Sequence, residues 1–219
     1  MKRVRLAVVL AGTLFAQVAQ QANERYQTPE GRASVAASLT AKDRDANQQP
    51  KVIVELLGIT PGMTVADVGT GAGYMLPYLS AAVGSAGTLI AEDIFRDFLN
   101  RAQHLAADHQ LSNVRFVLGA EKDPSLGAGV DLALLMDAYH HLNYPADVLS
   151  SLARSLKPDG RLAVVEYHRK PDVMNGYAMQ HIRLDEDDAI KEIEANGFRL
   201  VFRKEHEPAR QWVAIFVKK

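Results

Sequence analysis

Gly69, Gly71 and Gly73 stand at every second position directly after the apolar run Val65-Ala66-Asp67-Val68. Tyr74-Met75-Leu76 then reads as the start of a helix. Buried strand, glycine turn and helix is the architecture that holds a nucleotide-like ligand over a helix N-terminus. Glycines permit backbone angles and a close approach that a Cβ would forbid. The spacing here is G-x-G-x-G. A dinucleotide fingerprint, G-x-G-x-x-G/A, requires Gly or Ala at position 74, which is Tyr. A nicotinamide-dependent reductase is further disfavoured because no Y-x-x-x-K pair follows the fifth predicted strand.

Around this turn, apolar strand-like runs alternate with amphipathic segments. Strands are predicted at 64–68, 87–92, 113–118, 131–136, 162–167, 200–203 and 212–218, the last two antiparallel. Helices are predicted at 74–83, 95–109, 146–156 and 185–196. A helix opened by Pro50 carries Val52, Ile53, Leu56 and Leu57 and stops at Gly58. Continuous apolar strands in repeated β–α units indicate a parallel sheet covered on both faces. With 219 residues, 47% of them hydrophobic, the chain can bury one substantial core.

Asp67 two residues before the first glycine, the G-x-G-x-G turn, and Ala91-Glu92-Asp93-Ile94 at the end of strand two together resemble the class I S-adenosylmethionine-dependent methyltransferases. The chain is most similar to the small UbiE-like members, from about Arg44 onwards. The resemblance implies an α/β fold: a Rossmann-like, seven-stranded, mostly parallel sheet with helices on both faces and a C-terminal antiparallel hairpin. It implies S-adenosyl-L-methionine as cofactor and a small-molecule methyl acceptor. Gly69, Thr70, Gly71 and Gly73 would floor the methionine end, with backbone N–H groups near its carboxylate and Asp67 behind them. Asp93, followed by Ile94, would grip the ribose hydroxyls, as an acid at this place does for NAD. Glu92 is the alternative, since strand neighbours point to opposite faces, and helix capping is the plain structural role for Asp93. Many relatives carry an adenine-contacting Asp after strand three. That position is Ala120 here, leaving Glu121, Asp123 or the backbone of Ala120 and Glu121 open.

The segment Met136-Asp137-Ala138-Tyr139-His140-His141-Leu142 ends strand four, at the edge where ligands bind in such sheets. Relatives often place a His or Tyr here beside the departing methyl group. His140, His141 and Tyr139 are therefore the catalytic candidates, a neutral His being able to take a proton from an attacking hydroxyl or amine. Asp137 is counted with the cofactor residues, and capping of the next helix is its plain role. Adjacent histidines raise metal binding, but sequential neighbours seldom ligate one ion and no carboxylate spacing supports it, so no metal is predicted. An insertion at 171–183 supplies Tyr177, His181 and Arg183 as substrate-pocket candidates.

Near-neutral net charge (25 basic against 26 acidic residues) argues against a general nucleic-acid surface. No N/D-P-P-Y/F motif or catalytic Cys suggests a nucleic-acid methyltransferase. The absence of cysteine excludes disulfides and thiolate metal sites. Residues 1–22 open with Lys2, Arg3 and Arg5, followed by an apolar run from Leu6 to Ala16. This predicts a signal peptide or anchor, with Ala19 or Ala22 as cleavage points. Export to the periplasm without stable membrane insertion is expected if it is cleaved, and a cytoplasmic or anchored protein if it is not. Residues 23–49 are read as a linker containing one short helix, or as a cap over the site. Residues 50–219 form the α/β domain. Because the cofactor is made in the cytoplasm, an exported binding protein that kept the fold without catalysis is the alternative. Oligomeric state is left open.

Overall fold

The computed structural model describes residues 19–41, 43–169, 171, 176–206 and 210–219. Residues 1–18, which hold the apolar core of the predicted leader, lie outside the described residues. Among the described residues no helix is long and apolar enough to cross a membrane.

Seven strands form one sheet: β1 (Thr64–Val68), β2 (Thr88–Asp93), β3 (Val114–Leu118), β4 (Val130–Met136), β5 (Leu156–Tyr167), β6 (Phe198–His206) and β7 (Gln211–Lys218). Their order is β3-β2-β1-β4-β5-β7-β6. The first five run parallel, and β7 lies antiparallel between β5 and β6. The chain travels outward from β1 to β3, then returns to lay β4 on the other side of β1. The carboxyl ends of β1 and β4 thus flank the topological switch point, where open α/β sheets bind ligands.

Five helices cover the two faces: α3 (Pro50–Leu57), α4 (Leu76–Val83), α5 (Arg96–Asp108), α6 (Pro145–Ser155) and α8 (Glu186–Ala195). Strand alternation sorts the core. Val65, Leu132 and Val213 pack with Ile53, Leu57, Leu79 and Ala102 on one face. Ala66, Ala133 and Trp212 pack with Leu149, Leu152, Ile190 and Ile193 on the other. Each fully buried Val, Leu or Ile among them is worth roughly 1.5–3 kcal/mol. Proline at the first turn starts α3, and Gly58 in the left-handed region ends it. The Asp185 carboxylate accepts the Asp188 N–H and starts α8.

The N-terminal segment departs from the expected single helix. It forms α1 (Pro29–Leu39) and α2 (Arg44–Gln48), which lie over the carboxyl ends of the strands. Val35 and Ala36 bury themselves against Ala72 and Phe98, and Arg32 clamps α1 to Asp97 at 2.7 Å. The small apolar patch on α1 is too short to register as periodicity. Strand β5 also begins six residues earlier than predicted, running through Pro158-Asp159-Gly160 with a register shift against β4 between Val130 and Leu132. The remaining elements match the sequence reading to within a few residues, and α7 (Gly176–His181) lies within the predicted insertion.

Candidate functional site

Each glycine of the loop has its own reason. Gly71 adopts φ +56°, and a Cβ there would lie 3.1 Å from Leu39 of α1. Gly69 adopts φ +75°, and its Cβ would meet Ala138, on the β4 side of the switch point, at 3.0 Å. Gly73 does not line the cleft. Its missing Cβ lets α5 approach, since it would meet Leu76 and the Ala102 backbone.

The loop amides differ from the expected anion cradle. Gly69 and Thr70 N–H both donate to the Glu92 carbonyl, at 2.9 and 2.8 Å, and Gly73 N–H donates to the Thr70 carbonyl. Gly71 N–H donates to Asp93 Oδ2 at 2.9 Å. These donors hold the loop to β2 and to itself. Among the described residues, the Lys or Arg that lines the cleft is instead Arg44 of α2, whose guanidinium stacks 3.9 Å over the Tyr74 ring and lies 3.6 Å from Asp137. Tyr74 therefore forms a wall of the cleft, which encloses about 1190 Å³ including the part open to solvent.

Three carboxylates sit under the loop. Asp67 accepts the Thr70 hydroxyl at 2.7 Å, and burial pushes its carboxyl up to about 6. Asp93 accepts Phe95 N–H on Oδ1 and Gly71 N–H on Oδ2, and burial again pushes it up to about 6. Each oxygen keeps a further lone pair for a ligand. Asp93 thus holds the turn that leads into α5, whose N-cap is Phe95 without a side-chain cap, and still lines the cleft. Glu92, still paired with Val68 and Val117 within β2, lines it as well. Glu92 Oε2 accepts Gly69 N–H at 3.2 Å, while its buried Oε1 has no partner. Burial holds its carboxyl well above the usual range. Ile94, Ala120 and Glu121 line the same end of the cleft. Asp123 is taken up by Ser151 and Ser125.

Across the switch point, Asp137 ends β4 with φ +51°, an uncommon conformation for a residue other than glycine. Gln211 donates to its Oδ1 at 2.6 Å, and burial pushes its carboxyl up to about 6. The following turn of 3₁₀-helix, Tyr139–His141, distributes its side chains in different directions. Tyr139 is buried in the core, where its hydroxyl donates to Glu192 at 2.6 Å; Arg183, also buried, pairs with the same carboxylate. Neither of these two residues, expected from the sequence to be catalytic and substrate-facing, lines the cleft or the hollow beside it; Glu192 holds both.

The histidines converge. His140 is buried, and Glu166 receives both its backbone N–H, at 3.2 Å, and its Nδ1, at 2.7 Å. Burial opposes charge on this ring, but Glu166 raises its pKa above the usual histidine value. Asn23 binds His141 twice, its Nδ2 donating to the backbone carbonyl at 2.9 Å and its Oδ1 meeting Nδ1 at 2.7 Å. The carbonyl can only accept, so Oδ1 is the atom facing the ring, and Nδ1 carries the proton. Burial holds His141 well below its usual pKa, with His140 and His181 adding to the effect. His181 ends α7 with Nε2 3.2 Å from His140 Nε2, and burial lowers it to about 4. The Tyr177 side chain lies outside the described residues.

His141 lines the cleft and also a second hollow, of about 1030 Å³ including open solvent, bounded by Arg44, Gln48, Tyr167, His140 and His181. Sequence reasoning missed Asn23, Tyr26, Arg44 and Glu166. Arg44 sits in the charged run Lys42-Asp43-Arg44-Asp45, which reads as an ordinary solvated turn.

A family profile described as "Methyltransferase domain" matches residues 59–203. The ubiquinone/menaquinone biosynthesis C-methyltransferase UbiE of Ectopseudomonas mendocina is 31% identical over 118 residues, 53% of this chain and 46% of that protein. The protein of the same name from Azotobacter vinelandii is 31% identical over 125 residues, 56% of this chain and 49% of that one. The matched segment thus spans about half the length of these curated relatives. A SAM-dependent methyltransferase from Aquifex aeolicus superposes with a TM-score of 0.75 at 27% identity, covering 84% of this chain and 96% of that one. A TehB-like SAM-dependent methyltransferase from Corynebacterium glutamicum gives 0.65 at 18% identity, over 88% and 100% of the two chains, and shares the fold. The profile match covers most of the chain, which therefore belongs to the methyltransferase-domain family, and it is similar to UbiE and to SAM-dependent methyltransferases of solved structure.

Proposed function

We propose that this methyltransferase alkylates a small hydroxylated aromatic acceptor held in the hollow beside the glycine loop. The observation that carries the reading is the junction: the cleft and the hollow share Tyr26, Leu39, Arg44, Asp137 and His141. A donor on one side and an acceptor on the other can meet only there. The relatives named for ubiquinone/menaquinone C-methylation support an aromatic acceptor, as do the Tyr26, Tyr167 and histidine walls.

The residues fit the cofactor. The glycine backbone leaves a floor that Cβ atoms would fill, and Asp93 and Glu92 offer lone pairs suited to a sugar diol. Arg44 is the cation available to an amino-acid carboxylate, with Asp67 behind the loop. When bound, S-adenosylmethionine supplies a methyl group made electrophilic by its sulfonium charge, so the protein contributes mainly alignment for in-line attack. His141 offers Nε2 to the acceptor, its Nδ1 proton being tied to Asn23. The Tyr26 hydroxyl now meets that Nε2 at 3.3 Å, a contact long enough for an acceptor hydroxyl to replace. α1 and α2 serve as a cap that excludes water. The basic and apolar N-terminus is proposed as an export leader, which mass spectrometry of the mature N-terminus checks.

Calorimetry with S-adenosylhomocysteine, followed by incubation with methyl-labelled S-adenosylmethionine and a panel of phenols and quinols, tests the reading. Binding plus label on a phenol or quinol is expected. Failure to bind S-adenosylhomocysteine, or binding with no label on any acceptor, would overturn it in favour of a non-catalytic binding protein.

A further inference from the structure

The three imidazoles of His140, His141 and His181 come from two distant segments, yet one ring nitrogen from each lies within 4.8 Å of the others. Their ring centroids are 4.1, 4.9 and 5.1 Å apart. Glu166 takes the Nδ1 proton of His140, and Asn23 takes that of His141. His141 is therefore fixed in the tautomer that leaves Nε2 as a lone pair, and His140 presents the same nitrogen once an incoming ion displaces any proton it carries. A ligating histidine is normally held this way, its other N–H donated to a carboxylate or carbonyl that fixes the ring. One N–H···N hydrogen bond accounts for the 3.2 Å contact between His140 and His181. Beside that pair lies a third ring, that of His141, which Asn23 orients and whose Nε2 meets the Tyr26 hydroxyl only at 3.3 Å.

We propose that His140, His141 and His181 form a binding site for a divalent transition-metal ion of the zinc class. In a tetrahedral site with Zn–N bonds of about 2.0–2.1 Å, ligating nitrogens lie about 3.4 Å apart. The 3.2 Å separation of His140 and His181 matches that spacing. The third nitrogen closes the triangle by a tilt of its ring. Three neutral imidazoles select zinc, cobalt, nickel or copper over calcium or magnesium, which prefer oxygen. The buried carboxylate of Glu166 balances the added charge from the second layer, as does Asp137 nearby. All three histidines line the hollow, so the remaining coordination position opens on it. A phenolate or catecholate oxygen is the ligand class it would take. That last clause rests on the proposed function; the metal site does not, and with the ion bound His141 Nε2 is a ligand rather than the proton acceptor, the ion itself then activating the acceptor oxygen.

The test uses full-length protein stripped with a chelator and titrated with Zn²⁺ and with Co²⁺, with no methyl donor present. Calorimetry is expected to give one equivalent per chain, and Co²⁺ a visible ligand-field band of tetrahedral type. His181→Ala and His141→Ala should each weaken Zn²⁺ binding at least 100-fold. Asn23→Ala should weaken it about 10-fold or more by releasing the His141 ring. Circular dichroism melts report whether each variant is folded. If His181→Ala is not, His181→Gln, which keeps a polar partner for His140 but ligates poorly, decides. The competing cluster His168, Glu186 and Glu205 is controlled by His168→Ala, which should leave the Co²⁺ band intact. Substoichiometric binding, or equal affinity in wild-type protein and the folded position-181 variant, would overturn the proposal.

Discussion

The two halves of the site are built by different means. On the donor side, at the ends of β1 and β2, the decisive bonds span short stretches of sequence. Asp67 and Thr70 are 3 residues apart, Gly71 and Asp93 are 22, and Gly69 and Glu92 are 23. Most of them fix backbone to backbone or backbone to carboxylate. On the acceptor side, at the ends of β4 and β5, the bonds join side chains across long separations. His140 reaches Glu166 across 26 residues and His181 across 41, while His141 reaches Asn23 and Gln48 reaches Tyr167 across 118 and 119. The donor half is a local backbone device. The acceptor half exists only once the cap and the α7 segment have docked.

The largest effect should come from breaking the acceptor half at its buried anchor. Glu166→Ala strands the Nδ1 of the buried His140 ring and the His140 backbone N–H without their partner. Removing one member of such a pair costs about 3–5 kcal/mol. Denaturant unfolding should show a loss of that size, and Glu166→Gln, which can still accept a hydrogen bond, should recover much of it. A loss below about 1 kcal/mol would mean that the half-site is not organised by this pair. The donor half should fail differently, in affinity more than in stability. Asp93→Ala removes the acceptor for two backbone amides and the proposed diol ligand, and should weaken S-adenosylhomocysteine roughly 100-fold by calorimetry, equivalent to about 2.7 kcal/mol. Should Glu92→Gln weaken it more, the ribose role belongs to Glu92.

Legibility in the sequence follows the same division. Strand periodicity, the glycine turn and the Asp93 position all sit within a window that local pattern can read. The parallel sheet, its antiparallel end and most donor residues were therefore accessible. Even there, the fate of the loop amides was hidden. Whether Gly71 N–H meets a ligand or Asp93 depends on tertiary position, not spacing. Glu166 reads as part of an apolar strand, and Asn23 as a linker residue. Their partnership with the histidines comes from sheet register and from the docking of the N-terminal segment. The same holds for Tyr139, which is followed by His140 and His141 facing the hollow while its own ring points into the core.

Acidification separates the halves further. Asp67 and Asp93 have folded-state values near 6, raised by burial from 3.8. For the ligand-free protein the sign is that of a raised acid: their contribution to stability is fully present below 3.8 and is lost as the pH rises through 6. Ligand binding runs the opposite way, because a diol or ammonium group is held by the ionised carboxylates. S-adenosylhomocysteine affinity should fall as pH drops below 6, by up to about tenfold per pH unit for each carboxylate that must be ionised. Calorimetry between about pH 7 and pH 5 checks this. A flat profile would remove these two acids from the ligand's immediate contacts, leaving them only the task of holding the loop.

The smallest expected effect is the most discriminating. Tyr139 stands beside the two histidines in sequence, so an account based on adjacency would give it a share in the chemistry. Its hydroxyl instead donates to Glu192, which Arg183 also holds, and the guanidinium lies 5.4 Å from the Tyr139 ring. Tyr139→Phe deletes one hydrogen bond while Glu192 keeps its Arg183 partner, a cost of about 1 kcal/mol. In a chain of this size that lowers the melting temperature by roughly 2–4 °C. Neither S-adenosylhomocysteine affinity nor methyl transfer should change, since the ring and its hydroxyl lie outside both the cleft and the hollow. A drop in transfer without loss of stability would return Tyr139 to the reacting side. It would also mean that the boundary between core and acceptor half, drawn here at Glu192, lies elsewhere.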